Sequence, residues 1–153
     1  WGTFGLVLTE SLFEAKLAQY PDALAGNADF IRQTWVGGRT TDCVGLIKGY
    51  GWLDTKSMAI GYAANGMPDY GADQMYRACK NAGVQNEDYG PISTLPELPG
   101  LMLWKSGHAG VYIGGGYAIE AMGTRKGVVK TKVSDRGWQG WGKLPYIDYR
   151  EER

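Results

Sequence analysis

Histidine and cysteine are scarce in this chain: its 153 residues hold a single histidine, His108, and two cysteines, Cys43 and Cys79. A structural zinc site takes four Cys or His ligands, so three such residues exclude a Cys/His cage made by this chain alone, and no metal or other cofactor is expected. Charge of one sign is not in excess either, because sixteen Lys and Arg stand against sixteen Asp and Glu. That balance removes the electrostatic signature of a nucleic-acid partner or an anionic membrane surface. No apolar run approaches the roughly 18 residues of a membrane span. A starting Met and a signal-like segment are also missing. The abrupt opening "WGTFG" reads as a processed product or as part of a longer chain.

What is present suits one turn-rich domain over residues 1–153: 24 glycines, six Trp, ten Tyr and three Phe. "LTESLFEAKLAQYP" carries Leu12, Ala15, Leu17 and Tyr20 near helical spacing, with Thr9 as N-cap and Pro21 as terminator. A shorter helix is predicted from Asn27 to the Gly37–Gly38 pair. Another begins near Cys43, capped by Thr41 or Asp42 and placing Cys43 in its first turn. "ADQMYRACKNAG" lines up Met75, Ala78, Cys79 and Ala82 on one side and closes at Gly83. Beyond "LPELPG" the period changes to two, and "LMLWK", "HAGVYI", "YAIEA", "GVVKTKV" and "LPYIDY" read as strands. Helices first and strands afterwards indicate an α+β fold, with helices packed on an antiparallel sheet. Glu151 and Glu152 read as terminal charges.

A thiol at a helix start faces unpaired N–H groups that favour thiolate and can also donate to an oxyanion. Cys43 therefore has two readings, nucleophile or small core filler. Cys79, on the apolar stripe of a helix, reads as core. Any Cys–His chemistry made by this chain must use His108, which opens the hairpin pattern "HAGVYIGGGYAIEA". If Gly114 to Gly116 form the loop, Ile113 pairs with Tyr117, Gly110 falls opposite Glu120, and His108 falls opposite Met122. Glu120 is then diagonal to His108 on one face, about 7 to 8 Å across, with Gly110 leaving the path clear. A two- or four-residue loop puts them on opposite faces. Glu120 is thus either the residue that orients an imidazole or an exposed strand carboxylate. Trp138 and Trp141 read as plugs at a sheet edge, with a groove wall as the alternative.

Taken together, "DCVGLIKGY" and "PGLMLWKSGHAGVYIGGGYAIEAMG" resemble the NlpC/P60 family of papain-like cell-wall cysteine peptidases. The matching pieces are Asp42-Cys43-Val44-Gly45, Pro99-Gly100-Leu101-Met102 and His108 to Ile113, and Val44 stands where the family usually has Ser. The resemblance implies a papain-like fold, Cys43 as nucleophile, His108 as base and Glu120 as the polar third group. It also implies cleavage of peptidoglycan stem peptides, most often between D-γ-glutamate and the following diamino acid. By the same resemblance Asp42 and Trp1 are assigned to the oxyanion and substrate-positioning side, Trp1 standing near where the family carries a tyrosine. The opening and the long stretch before Cys43 are most similar to clostridial and phage-associated endolysin modules. They imply action at the bacterial wall after secretion or phage release, with an attached wall-binding domain as a possibility. An N-acetylmuramoyl-L-alanine amidase with the same residues, a non-catalytic wall-binding module, and an acyltransferase or deamidase on the same scaffold are the alternatives.

Overall fold

A computed structural model describes residues 1–149; Glu151 and Glu152 lie outside them. The chain opens with β1 (Phe4–Val7), and Thr9 then caps α1 (Glu10–Gln19), its hydroxyl accepting from the Leu12 N–H at 3.1 Å. Phe13 anchors α1, while Ala15 and Tyr20 of the expected stripe stay exposed. Pro21 stops α1 and also starts the single turn α2 (Pro21–Leu24), since its missing N–H costs nothing in the first helical turn. After α3 (Ala28–Thr34), Leu8, Phe13, Leu24 and Ile31 close a small core of their own, fringed by Trp1 and Trp35.

β2 (Arg39–Thr41) returns antiparallel to β1, with Phe4 opposite Thr41, and leads through a turn into α4 (Gly45–Gly51). This two-strand sheet is invisible to a pattern search, because its strands are short and only β1 is apolar. Gly45 and Gly49, one helical turn apart, let α4 lie directly on the β1 backbone. A Cβ at Gly45 would strike the Thr3 carbonyl, and one at Gly49 the Phe4 carbonyl. On its other side α4 buries Ile47 together with Trp52, Met67 and the helix α5 (Ala72–Ala82). α5 ends at Gly83 as expected, with Met75, Tyr76 and Cys79 inward and Ala82 exposed.

The remaining strands are β3 (Tyr89–Pro91), β4 (Met102–Lys105), β5 (His108–Gly114), β6 (Tyr117–Ala121), β7 (Val128–Lys132) and β8 (Gly140–Gly142). They form one antiparallel six-strand sheet in the order β3-β8-β4-β5-β6-β7. One face packs Met102 and Ala109 beneath α4 and α5. The other buries Leu101, Leu103, Tyr112, Ala118, Trp138 and Trp141. The molecule is therefore α+β, as the order of periodicities indicated.

Two strand expectations change. "LPYIDY" is not a strand: Pro145 has no N–H for a ladder, and Tyr149 closes the segment as a turn by accepting from the Leu144 N–H at 3.1 Å and donating to the Gly100 carbonyl at 3.0 Å. The place beside β4, between it and the edge strand β3, is instead filled by β8, "GWG". Its glycines are needed because α5 rests on the strand: a Cβ at Gly140 would meet the Tyr76 hydroxyl, and one at Gly142 would come within 2.7 Å of the Cys79 Cβ.

Gly49→Ala should therefore lift α4 off β1 and lower the unfolding free energy by about 1–3 kcal/mol, the usual cost of overpacking. Urea titration of the variant against wild type measures it.

Candidate active site

Cys43 sits in the turn between β2 and α4, ahead of the first hydrogen-bonded turn of the helix rather than inside it. The helix begins at Gly45, two residues later than the sequence suggested, and Asp42 holds the junction. Its Oδ1 accepts from the Gly45 N–H at 2.7 Å and its Oδ2 from the Gly2 N–H at 2.9 Å. Of the two cap candidates, Asp42 takes that part, while the Thr41 hydroxyl donates to the Asp42 carbonyl at 2.9 Å. With one oxygen on each of two backbone donors, Asp42 braces the turn that carries Cys43. The Cys43 N–H takes part in no hydrogen bond among the described residues.

The thiol lies against His108 and the Ala109 N–H. Partial burial pushes the Cys43 pKa up, but hydrogen bonding from His108 and from that N–H outweighs it, and the net direction is down from the ordinary thiol value. The His108 imidazole moves the opposite way. Interaction with Cys43 raises it most, burial lowers it, and Glu120 raises it again, so the net direction is up.

His108 Nε2 is 2.9 Å from Glu120 Oε1, leaving Nδ1 as the ring nitrogen for the thiol. The hairpin register explains the meeting. Val111 pairs with Ile119 and Tyr112 with Ala118, the register expected from the sequence, and it sets Glu120 diagonal to His108. The turn itself is tighter than expected. Gly114 pairs with Tyr117, an irregularity falls at Ile113, and Gly115 and Gly116 form a two-residue loop with φ of +63° and +83°. The irregularity at Ile113 absorbs the parity change that a two-residue loop would otherwise impose. Gly110 also serves a purpose the sequence did not suggest: its empty side receives the Trp138 ring, whose edge would lie 2.8 Å from a Cβ there. Trp138 stacks on His108 at 5.4 Å between centroids and 9° between planes, so it is both buried and a wall of the site. Trp141 is buried and structural, its Nε1 donating to Thr94 Oγ1 at 3.0 Å.

Glu120 is fully buried. Thr131 donates to its Oε2 at 2.6 Å, and Arg136 reaches it three times, from Nε at 3.1 and 3.0 Å and from Nη2 at 2.8 Å. Burial alone would push this carboxyl up, yet the Arg136, Thr131 and His108 hydrogen bonds hold it down at about 2. It is a permanent anion at neutral pH.

Trp1 makes a different set of contacts. Its Nε1 lies 3.4 Å from Thr124 Oγ1, and with Trp35, Thr41 and Asp42 it lines a cavity of about 190 Å³. Sequence reasoning missed Thr131 and Arg136. Thr131 faces the same side as Ala118, its partner on β6, and so lies diagonal to Glu120, a relation that appears only when the register of β7 is known. Arg136 follows a short 3₁₀ turn (Val133–Asp135), and no spacing rule joins it to Glu120. Among the described residues no three His, Cys, Asp or Glu side chains group closely enough to hold a metal ion. Comparison with family models, with curated proteins and with solved structures found no match to this chain.

The two free cysteines give an internal control. Burial pushes the Cys79 thiol up to about 12, against the lowered value at Cys43. Iodoacetamide on the folded protein at pH 7 should label Cys43 and leave Cys79 untouched, and the Cys43 rate should fall as the pH drops through its depressed pKa. Peptide mapping by mass spectrometry reads both sites.

Proposed function

We propose that this chain is a papain-like cysteine hydrolase of the peptidoglycan stem peptide. The observation that carries the reading is the line from the partly buried Cys43 thiol through His108 to the fully buried Glu120, three groups of opposite tendency held in order by one hairpin and one helix entry. That order matches the roles of nucleophile, base and orienter.

In the proposed reaction the Cys43 thiolate attacks the carbonyl carbon of the scissile amide, and the carbonyl oxygen takes up the negative charge beside the Cys43 N–H. His108, carrying the proton that came from the thiol, gives it to the leaving nitrogen, and the C–N bond breaks to leave a thioester on Cys43. Water then gives a proton to His108 and its oxygen to the acyl carbon. Collapse expels Cys43 as thiolate, restoring the ion pair and releasing the carboxylic acid. Glu120 takes no proton in either half. It holds the ring so that Nδ1 faces the sulfur, and it steadies the imidazolium.

The site chemistry supports thiol acyl transfer; the bond assignment rests on the resemblance of Asp42 to Gly45, Pro99 to Met102 and His108 to Ile113 to NlpC/P60 peptidases. On that basis the scissile bond is the one between D-γ-glutamate and the diamino acid, and the place of action is the bacterial wall. Purified walls treated with wild type should release fragments bearing new diamino-acid N-termini, detected by mass spectrometry, while folded Cys43→Ala and Cys43→Ser should lose activity by about a thousandfold or more. Full lysis by either variant would refute the nucleophile, and intact stem peptides freed from sugar would reassign the enzyme as an amidase.

A further inference from the structure

Glu120 has no exposed side-chain surface, so no bulk water balances its charge, and its partners come from three separate elements. His108 faces it from β5, Thr131 from β7 and Arg136 from the turn after β7. Of these, Arg136 alone carries a fixed positive charge, and it uses two nitrogens to grip both carboxylate oxygens. Lys105, whose β4 position pairs with His108, does not reach the carboxylate. Its Nζ instead donates to the Arg136 carbonyl at 2.9 Å and so ties the Arg136 loop to the strand end beside the ring.

A carboxylate anion can only accept hydrogen bonds, whereas a neutral carboxyl can donate one. While Glu120 is an anion, a neutral ring must carry its proton on Nε2, and Nδ1 then keeps its lone pair toward Cys43. If Glu120 took a proton, it would donate to Nε2, the ring proton would move to Nδ1, and the base facing the thiol would be lost. We infer that Arg136 is a positioning residue that fixes the Nε2–H tautomer of His108 by keeping Glu120 a carboxylate. The inference rests on the reading of Cys43 and His108 as a nucleophile and base pair, and it makes the guanidinium the fourth member of an alternating line: thiolate, imidazolium, carboxylate, guanidinium.

The single histidine makes the test direct, because every imidazole signal belongs to His108. Long-range 1H–15N spectra above the imidazole pKa report the neutral tautomer, and the pH profile of Cys43 alkylation reports the base. Wild type should show the Nε2–H form. Arg136→Met and Arg136→Gln should shift it toward Nδ1–H and slow alkylation at neutral pH by about tenfold, the effect of one unit in thiolate population. Arg136→Lys, which keeps the charge, should retain the wild-type tautomer and most of the rate. If Arg136→Met does not fold, the Gln and Lys pair decides, since Gln retains hydrogen-bond donors without the charge. A folded Arg136→Gln with the wild-type tautomer and rate would overturn the inference, as would an Arg136→Lys that behaves like Gln. Neither readout involves peptidoglycan, so a wild type inactive on walls would defeat the proposed substrate while leaving this result standing.

Discussion

A carboxylate sealed inside the sheet is the constraint around which this site is built. Leaving Glu120 ionised without exposed surface would be prohibitive unless its lone pairs were filled, and all of its partners must arrive together for the fold to tolerate it. The hairpin brings His108, the last strand of the sheet brings Thr131, and the loop beyond it brings Arg136. Strand register is thereby tied to chemistry. A slip of one residue between β5 and β6 would turn Glu120 to the face beneath α4 and strand the guanidinium.

The Cys43 thiol is held by independent means. Asp42 bridges the N-terminal segment and the first turn of α4 with one oxygen on each. Gly45 and Gly49 permit the backbone-to-helix approach that brings the segment close enough to be bridged. In the site the two halves meet where the Cys43 thiol lies against His108 and the Ala109 N–H. Trp138 closes the other side by stacking on the ring over the space that Gly110 leaves empty. The imidazole is thus confined by a carboxylate at one nitrogen, a thiol at the other and an indole on its face.

Much of this was legible in the sequence, for local reasons. Capping chemistry revealed α1 through Thr9, apolar spacing and Gly83 revealed α5, and period-two alternation revealed β4 to β7. Having a single histidine and two cysteines narrowed the chemistry to one pair, and the parity of the hairpin body put Glu120 on the correct face even though the loop was one residue shorter than expected. What was hidden is non-local. β8 is a strand of glycines because a helix lies on it, and apolar alternation in "LPYIDY" imitated a strand that Pro145 forbids. Asp42 was placed next to Cys43 on the oxyanion and substrate-positioning side, and the structure adds the two backbone N–H groups that its carboxylate accepts from. Arg136 could be found only by asking what neutralises a buried anion, a question that arises once the burial is seen.

The central claim is that Cys43 and His108 behave as one coupled pair. Titrating the His108 Cε1 proton by NMR in wild type and in Cys43→Ser tests it most directly. The account predicts an imidazole that titrates above the ordinary value of about 6.5 in wild type and falls when the sulfur is replaced, because Cys43 is the largest contributor to the upward shift. The same titration in both proteins would contradict it.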